Sequence, residues 1–264
     1  MVAGAGPGGL EAARVAALRG HQVTVMEKKS ELGGSLLIVG LSEGHDLYLK
    51  FRDWIIGQCT KAGVKFELSK EVTPKVIKET KPDVVIVATG APIPVIPPIP
   101  GIKKSHVVTP FDVLTGKTPV RKNVVVIGGG LIGVNTAYTI AARGLAESVT
   151  IVEPWPVPEL AYDMPLLNRM YMLMVLLPKY GVQGLTGMRI EEVTDREVVV
   201  VSRKGKKHKI KADTVVIALG YSPDMSLYET LRGENAELYA IGDCVRTRKV
   251  SEVVHEGAEL ARQI

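Results

Sequence analysis

Cysteine is nearly absent from this sequence, because the 264 residues include only Cys59 and Cys244. Two cysteines cannot build a disulfide framework, and these two do not have the C-x-x-C spacing of a redox pair. They are also too few to hold a zinc ion or an iron–sulfur cluster. We therefore predict no metal site, and any redox chemistry of this chain requires a bound organic cofactor.

Long hydrophobic runs are also missing. The longest apolar stretches, such as residues 84–88 and 170–177, are far shorter than the ~20 residues of a membrane-spanning helix, and no signal-peptide pattern opens the chain. The sequence thus predicts a cytoplasmic protein with no membrane partner. Its composition, with 46% hydrophobic and 23% charged residues, is that of a folded globular protein, and its length favours two domains.

Charge of one sign is not concentrated along most of the chain, although the formal net charge is +5. The exception is a basic group formed by Arg203, Lys204, Lys206, Lys207, Lys209 and Lys211. Apolar residues flank this group and Gly205 lies within it, so we interpret it as the solvated end of a β-hairpin. A docking surface for an acidic partner is the alternative, and we predict no binding of nucleic acid.

A glycine-rich motif, by contrast, occurs twice. The two copies share the spacing G-x-G-x-x-G and consist of Gly4, Gly6 and Gly9, and of Gly128, Gly130 and Gly133. Each copy follows an apolar strand and precedes a helical stretch, and a second strand then ends on Glu27 or Glu153. This complete unit is typical of Rossmann-like dinucleotide-binding domains.

The residue types of the motif have separate physical reasons. The first glycine permits a tight bend, the second lets the backbone approach a pyrophosphate, and the third lets the helix pack closely on the strand. The pyrophosphate lies at the helix N-terminus, where free N–H groups and the helix dipole favour an anion. Glu27 and Glu153 follow the first glycine of their copies by 23 and 25 residues, close to the ~20 expected of an acid that binds ribose. The sequence therefore predicts two dinucleotide sites.

A second pair of similar segments lies downstream of the two motifs. Residues 83–90 and 213–220 are apolar strands that end on Gly90 and Gly220, and proline-containing stretches follow both. Stiff crossings of this kind are expected where a chain passes between domains.

The order of these motifs resembles the architecture of glutathione reductase, thioredoxin reductase and the ferredoxin reductases. Residues 237–244 are similar to the second FAD motif of that group, whose aspartate, here Asp243, binds the ribityl chain. The resemblance implies an α/β fold with two Rossmann-like dinucleotide-binding domains, in which the NAD(P) domain is inserted in the FAD domain. The implied boundaries are 1–103 and 223–264 for the FAD domain and 104–222 for the NAD(P) domain.

Glu31-Leu32-Gly33-Gly34, the second glycine motif and the closing residues 255–262 resemble, more narrowly, the C-terminal half of the 2,4-dienoyl-CoA reductase and trimethylamine dehydrogenase family. These NADH:flavin oxidoreductases of the Old Yellow Enzyme type join this half to an FMN-binding barrel and an iron–sulfur cluster. The resemblance implies an FAD-dependent NAD(P)H oxidoreductase that passes electrons to an FMN and iron–sulfur domain or subunit. We accordingly predict a fragment or a separately encoded subunit, which can form oligomers.

Three departures from the family patterns qualify this prediction. The strand before Gly4 has only three residues, which we expect to expose sheet edges and weaken the FAD site. Asn135 stands where the disulfide reductases have a glutamate, and its amide is a candidate nicotinamide contact. The chain has neither a C-x-x-C motif nor a His-Pro pair near its end, so we predict no disulfide reductase activity, and we interpret His255 as a structural or surface residue.

The cofactors predicted in this way are FAD and NADH, with NADPH disfavoured because Glu153 repels its 2′-phosphate. Hydride transfer between two cofactors needs no catalytic acid or base from the protein. The predicted cofactor-binding residues are Gly4, Gly6, Pro7, Gly8, Gly9, Glu27, Lys28, Gly33, Gly34, Val72, Ala88, Thr89, Gly90, Gly128, Gly130, Leu131, Ile132, Gly133, Glu153, Ala218, Leu219, Gly220, Gly242, Asp243 and Ser251. A structural module that binds ADP or FAD without hydride transfer is the alternative function.

Overall fold

The computed structural model describes residues 1–156, 160–233 and 236–264, and it divides the chain into two compact units. Unit 1 comprises Met1–Gly40, His45–Ile93 and Tyr221–Ile264, and unit 2 comprises Leu41–Gly44 and Pro94–Gly220. The long segment of unit 2 therefore begins at Pro94, whereas the family resemblance implies a boundary after residue 103. The predicted domain boundaries stay a prediction.

Unit 1 is built on a five-stranded parallel sheet of β1 (Val2–Ala3), β2 (Thr24–Glu27), β3 (Lys65–Leu68), β4 (Val84–Val87) and β15 (Glu237–Ala240). The strand order is β15-β4-β1-β2-β3. A short strand of unit 1, β14 (Tyr221–Ser222), pairs with β5 (Ile93–Pro94), which spans the division of the chain at Pro94. Its helices are α1 (Pro7–Leu18), α2 (Ser35–Gly40), α3 (Leu47–Lys61), α4 (Pro74–Thr80), α9 (Ser226–Leu231) and α10 (Val250–Gln263).

The short strand β1 does not interrupt this sheet, contrary to our expectation of exposed edges. Val2 pairs with Val25 of β2 on one side and with Ile86 of β4 on the other. Hydrogen bonds from Gly4 N to the Met26 oxygen and from Ala88 N to the Ala3 oxygen, both 2.8 Å, continue the pairing beyond the strand. The expectation was wrong because residues next to a strand can extend its ladder without belonging to it.

Unit 2 repeats the same plan with a five-stranded parallel sheet of order β6-β13-β7-β8-β9. These strands are β6 (Val107–Val108), β7 (Asn123–Ile127), β8 (Ser148–Glu153), β9 (Gln183–Thr186) and β13 (Thr214–Ile217). The helices of unit 2 are α5 (Pro110–Leu114), α6 (Leu131–Ala142), α7 (Leu166–Tyr171) and α8 (Leu177–Lys179), and a π-helical turn, Met172–Leu176, joins the last two. The predicted fold class of two Rossmann-like α/β domains is confirmed.

A three-stranded antiparallel sheet completes unit 2, formed by β10 (Met188–Val193), β11 (Glu197–Ser202) and β12 (Lys207–Lys211). The predicted β-hairpin is confirmed, because β11 and β12 pair and the residues between them are exposed. Two of its lysines form surface ion pairs, Lys207 with Glu191 and Lys209 with Glu197.

Apolar side chains cover both faces of each parallel sheet. In unit 1, Leu10, Val25 and Ile55 belong to one fully buried cluster, and a second cluster includes Val85 and Val87. Unit 2 also has two clusters, built around strands β7 and β13. Parallel strands that are buried on both faces need continuous apolar runs, which is why β4 and β7 are almost entirely valine and isoleucine.

Candidate functional site

The first glycine motif forms a tight turn between β1 and α1. Gly4 has a φ of 109°, and a Cβ atom there would lie 2.4 Å from the Ala88 oxygen. A Cβ at Gly9 would lie 2.2 Å from the Gly4 oxygen, so the start of α1 packs directly on the turn. These two positions require glycine for the fold itself, as the motif predicts.

Gly6 differs from these two glycines, because the fold does not require glycine there. Its φ of −74° is open to any residue, and a Cβ would meet no protein atom within 4 Å. The open space lies at the start of α1, where Pro7 occupies the first helical position and Gly8 and Gly9 present the following N–H groups. This cradle fits a pyrophosphate, which needs close approach to backbone N–H groups.

The carboxylate of Glu27, at the end of β2, is buried against the same turn. Its Oε2 accepts a hydrogen bond from Ala5 N and its Oε1 accepts one from Lys29 N, both at 2.9 Å. The side chain is 8% exposed. Glu27 therefore fastens the glycine turn to the end of β2, beside the exposed Lys28.

Gly33 and Gly34 close on the first motif from another part of the chain. Gly33 N donates to the Ala5 oxygen at 2.9 Å, and a Cβ at Gly34 would lie 2.9 Å from the Cα of Gly6. Gly34 also has a φ of 53°, which disfavours other residues. The structure thus brings the Glu31–Gly34 motif together with the predicted phosphate cradle.

Other predicted residues of unit 1 lie at the ends of strands. Ala88, Thr89 and Gly90 follow β4, and the Ala88 oxygen faces the turn at Gly4. Val72 is buried in the apolar cluster that also contains Met26. Its predicted proximity to an adenine stays a prediction.

Asp243 lies in a one-turn 3₁₀ helix, Gly242–Cys244, that follows β15. Its Oδ1 accepts a hydrogen bond from Arg248 N at 2.9 Å, and burial raises the pKa of its carboxyl group above the ordinary value. A half-buried carboxylate of this kind has free acceptor capacity for hydroxyl donors of a ligand.

Arg248 and Glu256, two residues that hold this turn, were not predicted from the sequence. Glu256, on α10, accepts a hydrogen bond from Gly242 N at 2.6 Å and forms an ion pair with Arg248. A sequence signal for Glu256 was present, because it belongs to the closing segment that resembles the reductase family.

The predicted residue Ser251 lies in the first turn of α10, ahead of the first intrahelical donors, Glu252 and Val253.

The second glycine motif repeats this geometry in unit 2. Gly128 has a φ of 107°, and a Cβ there would lie 2.7 Å from the oxygen of Ala218, the residue that follows β13. A Cβ at Gly133 would lie 1.9 Å from the Gly128 oxygen. Glu153 accepts hydrogen bonds from Gly129 N at 2.6 Å and from Trp155 N at 3.1 Å, as Glu27 does in unit 1.

Gly130 occupies the position of Gly6, but it is not equally open. A Cβ there would lie 4.0 Å from both carboxylate oxygens of Asp163, and Oδ1 of Asp163 accepts a hydrogen bond from Leu131 N at 2.9 Å. Ile132, the next residue of α6, is 38% exposed. Asp163 was not predicted from the sequence, because it lies 32 residues beyond Leu131 and belongs to no motif.

Asn135 and the residues after β13 complete the predicted set. Asn135 is 8% exposed on α6, and its Oδ1 is buried without a hydrogen-bond partner. Leu219 is 39% exposed, and Gly220 has a φ of 91°. Because buried polar atoms are rarely left unpaired in proteins, the Asn135 amide fits a residue whose partner is a ligand.

The described residues show no group of three or more His, Cys, Asp or Glu side chains that could hold a metal ion. Within the same residues, no helix is both long enough and apolar enough to cross a bilayer.

Comparisons with known proteins agree with this arrangement. The family model described as pyridine nucleotide-disulphide oxidoreductase matches residues 1–261. An NADH oxidase of Thermoanaerobacter brockii is 39% identical over 269 residues, which cover 100% of this chain and 40% of that protein. A solved structure of a 2-naphthoyl-CoA reductase with 2-naphthoyl-CoA has a TM-score of 0.93 and 35% identity, covering 100% of this chain and 39% of that chain.

A thioredoxin reductase of T. acidophilum shares the fold alone, with a TM-score of 0.73, 20% identity and coverage of 99% of this chain and 95% of that one. The chain spans about two fifths of the length of curated relatives such as the NADH oxidase.

Proposed function

The chain belongs to the pyridine nucleotide-disulphide oxidoreductase family, and on this premise we propose that it passes electrons from NADH, bound by unit 2, to FAD, held by unit 1. The resemblance to the 2,4-dienoyl-CoA reductase and trimethylamine dehydrogenase family that the sequence indicates is confirmed by the NADH oxidase and the 2-naphthoyl-CoA reductase. The observation that supports the proposal best is the repeated site, in which each unit has a glycine turn fastened by a buried glutamate.

Unit 1 has the residues that an FAD molecule needs. The cradle at Gly6 receives the pyrophosphate, and the carboxylate of Asp243 accepts hydrogen bonds from ribityl hydroxyl groups. Glu27 has two further lone pairs for a ribose, because each of its oxygens accepts one backbone bond. The first N–H groups of α10, at Val250 and Ser251, lie at the positive end of the helix dipole and would stabilise the negative charge of a reduced flavin.

Unit 2 supplies the corresponding groups for a pyridine nucleotide. The N-terminus of its helix α6 has the N–H groups of Leu131, which donates to Asp163 in the ligand-free chain, and of Ile132. Asn135 offers a buried oxygen acceptor to an amide N–H of a ligand. A bound NADH supplies a hydride and a bound flavin accepts it, so the protein's task is binding and orientation.

The preference for NADH over NADPH depends on Glu153 in this proposal. A 2′-phosphate at ~5 Å from its carboxylate is repelled by roughly 3 kcal/mol at an effective dielectric of ~20, which solvent reduces to about 1–2 kcal/mol. The described residues after Glu153, namely Pro154, Trp155 and Pro156, are not cationic, and Val157 lies outside the described residues. Two cations elsewhere in the chain, Arg143 and Lys179, are candidate phosphate partners. Arg143 is already bonded to Glu43 and to the Leu41 oxygen.

We expect the variant Glu153→Gln to lose this discrimination, because it keeps an acceptor for Gly129 N but has no charge. The ratio of kcat/KM for NADH to that for NADPH should fall about tenfold, measured with an artificial electron acceptor. Glu27→Gln is the matched control, since Glu27 makes the same bonds in unit 1 and should leave the ratio unchanged. Equal use of both nucleotides by the wild-type protein would contradict the assignment.

The electron acceptor in this proposal is a partner domain of the kind that makes up the rest of the longer relatives, with an FMN group and an iron–sulfur cluster. The support is that relatives named as reductases and oxidases are more than twice as long as the matched region. The isolated chain should then reduce ferricyanide or a dye with NADH, but it should not reduce an enoyl-CoA or oxidise an amine. Efficient turnover of either substrate by the isolated chain would overturn the partner proposal.

Anaerobic titration of the purified, FAD-loaded chain with NADH tests the function itself. The absorbance bands of oxidised flavin should bleach with one equivalent of NADH. A chain that binds FAD but keeps its flavin spectrum under excess NADH would instead be the alternative, a nucleotide-binding module without hydride transfer.

A further inference from the structure

The two glycine motifs differ at one place, the N-terminus of the helix that follows each of them. In unit 1 the space in front of Gly6 contains no protein atom within 4 Å of a Cβ position. In unit 2 the carboxylate of Asp163 lies in front of Gly130 and accepts the hydrogen bond from Leu131 N. An anionic side chain of the protein therefore lies where the motif places a phosphate.

The segment that contains Asp163, residues 160–164, is held firmly on the motif. Ala161 N donates to the Gly129 oxygen at 2.6 Å, and a Cβ at Gly129 would lie 2.4 Å from Cδ2 of Leu160. Ala161 is fully buried with a φ of 50°, a left-handed conformation that is unfavourable for alanine. Strained backbone of this kind persists only where surrounding contacts impose it, so these contacts fix the position of the carboxylate.

The carboxylate and a pyrophosphate compete for the same groups. The N-terminus of α6 attracts one anion through its N–H groups and its dipole, and that attraction extends only over the first turn. A dinucleotide has to displace the Asp163 carboxylate from Leu131 N or to bind beside it against like-charge repulsion.

We infer that Asp163 sets the affinity of unit 2 for pyridine nucleotides by occupying the phosphate position of the second motif. Asp163 is thus an affinity-determining residue, and its effect is confined to ligands that contain a phosphate. This inference rests on the proposed binding of NADH by unit 2.

The variant Asp163→Asn tests the inference, because an amide oxygen still accepts from Leu131 N while the charge is gone. The Kd values of NADH and of ADP-ribose, measured by calorimetry at low salt, should fall about three- to tenfold. This gain in affinity should be smaller at high salt, where the negative charge of Asp163 in the wild-type protein is screened. Asp195→Asn is the matched control, since Asp195 is an exposed unit 2 aspartate paired with Lys104, and its variant should leave both Kd values unchanged.

Asp163→Ser, which also offers an uncharged acceptor, provides a second variant if the first does not fold. If the wild-type protein binds NADH and both variants bind it equally well or more weakly, the inference is overturned and the proposed function stays intact. If neither wild type nor variants bind NADH or ADP-ribose, the proposed function fails and the inference fails with it.

Discussion

At the scale of single residues, Gly6 and Gly130 are the glycines of the G-x-G-x-x-G positions at which both the backbone conformation and the surrounding space would accept a side chain. Both have extended or ordinary backbone angles, with φ of −74° and −72°, and neither faces protein atoms closer than 4 Å. The fold therefore does not explain their small size, in contrast to Gly4 and Gly128, and the proposed phosphate binding does.

The variants Gly6→Ala and Gly130→Ala should separate the two cofactors. We expect Gly6→Ala to weaken FAD binding at least about tenfold and Gly130→Ala to weaken NADH binding by a similar factor, because each new methyl group enters the phosphate cradle. The ligand-free chains should melt at nearly the wild-type temperature, since the backbone angles suit alanine.

Gly57→Ala is the control for these variants, because Gly57 on α3 is also open but lies outside both motifs. It should change neither affinity. Unaltered FAD binding by Gly6→Ala would show that the cradle does not hold the pyrophosphate.

Asp243 gives a prediction about pH. Burial raises the pKa of its carboxyl group in the folded chain, so ionisation of Asp243 lowers the stability of the fold. This loss of stability is absent below the ordinary aspartate pKa of about 3.9 and is complete above the pKa of the folded chain. Asp243→Asn should therefore raise the melting temperature of the FAD-free chain at pH 7, and the gain should disappear as the pH falls toward 4. The same variant should weaken FAD binding, because a neutral amide is a poorer acceptor.

Asp195→Asn should show the opposite trend and serves as the comparison. A hydrogen bond from Lys104 lowers the pKa of Asp195, so its ionised form stabilises the fold at neutral pH and that stability is lost in acid. A gain in Asp243→Asn that is equal at pH 4 and pH 7 would rule out a titration effect.

At the scale of elements, the contact between α1 and α10 joins the first glycine motif to the closing helix. A Cβ at Gly257 on α10 would lie 2.4 Å from the oxygen of Gly8 on α1 and 3.2 Å from Ala12 N. The two helices approach this closely only because Gly257 has no side chain. The same helix contributes Glu256, which holds the turn at Asp243, so α10 connects the first glycine motif with that turn.

Gly257→Ala should consequently destabilise unit 1 by about 1–3 kcal/mol, since the added methyl group forces the helices apart. Thermal unfolding measures this loss, and FAD affinity should fall as well because Gly8 belongs to the phosphate cradle. Gly57→Ala again provides the comparison at an open helical position. A melting temperature equal to that of the wild type would show that the helix pair tolerates the methyl group.

At the scale of the whole molecule, the chain is two units with separate apolar cores. Both cysteines lie in the cores of unit 1, Cys59 beside α1 and Cys244 beside β4. Burial raises the pKa of the Cys59 thiol to about 12 and also raises that of Cys244, so neither thiol is reactive in the folded unit. Their labelling therefore reports the unfolding of unit 1.

We expect FAD at 100 times its Kd to slow thiol labelling about a hundredfold, the factor that corresponds to ~2.7 kcal/mol of ligand stabilisation. NADH, which we propose to bind to unit 2, should protect the thiols much less if the units unfold separately. At the same FAD concentration, Gly6→Ala should be protected only about tenfold or less, because its Kd for FAD should be at least about tenfold higher. Equal protection by NADH and FAD would indicate that the chain unfolds as one cooperative unit.

The sequence by itself determined the plan of the molecule. The glycine spacing with its strand-end glutamates and the apolar runs on either side of Gly205 are local patterns, so both glycine motifs, the fold class and the hairpin at Gly205 were predictable. The sequence could not show which groups meet across distant segments. The bond from Leu131 N to Asp163 and the support of Gly242 by Glu256 exist only because the folded chain brings residues 32 and 14 positions apart into contact. Tertiary structure alone decided that one glycine motif is open and the other faces a carboxylate, because the position of a side chain in front of a helix depends on packing and not on local sequence.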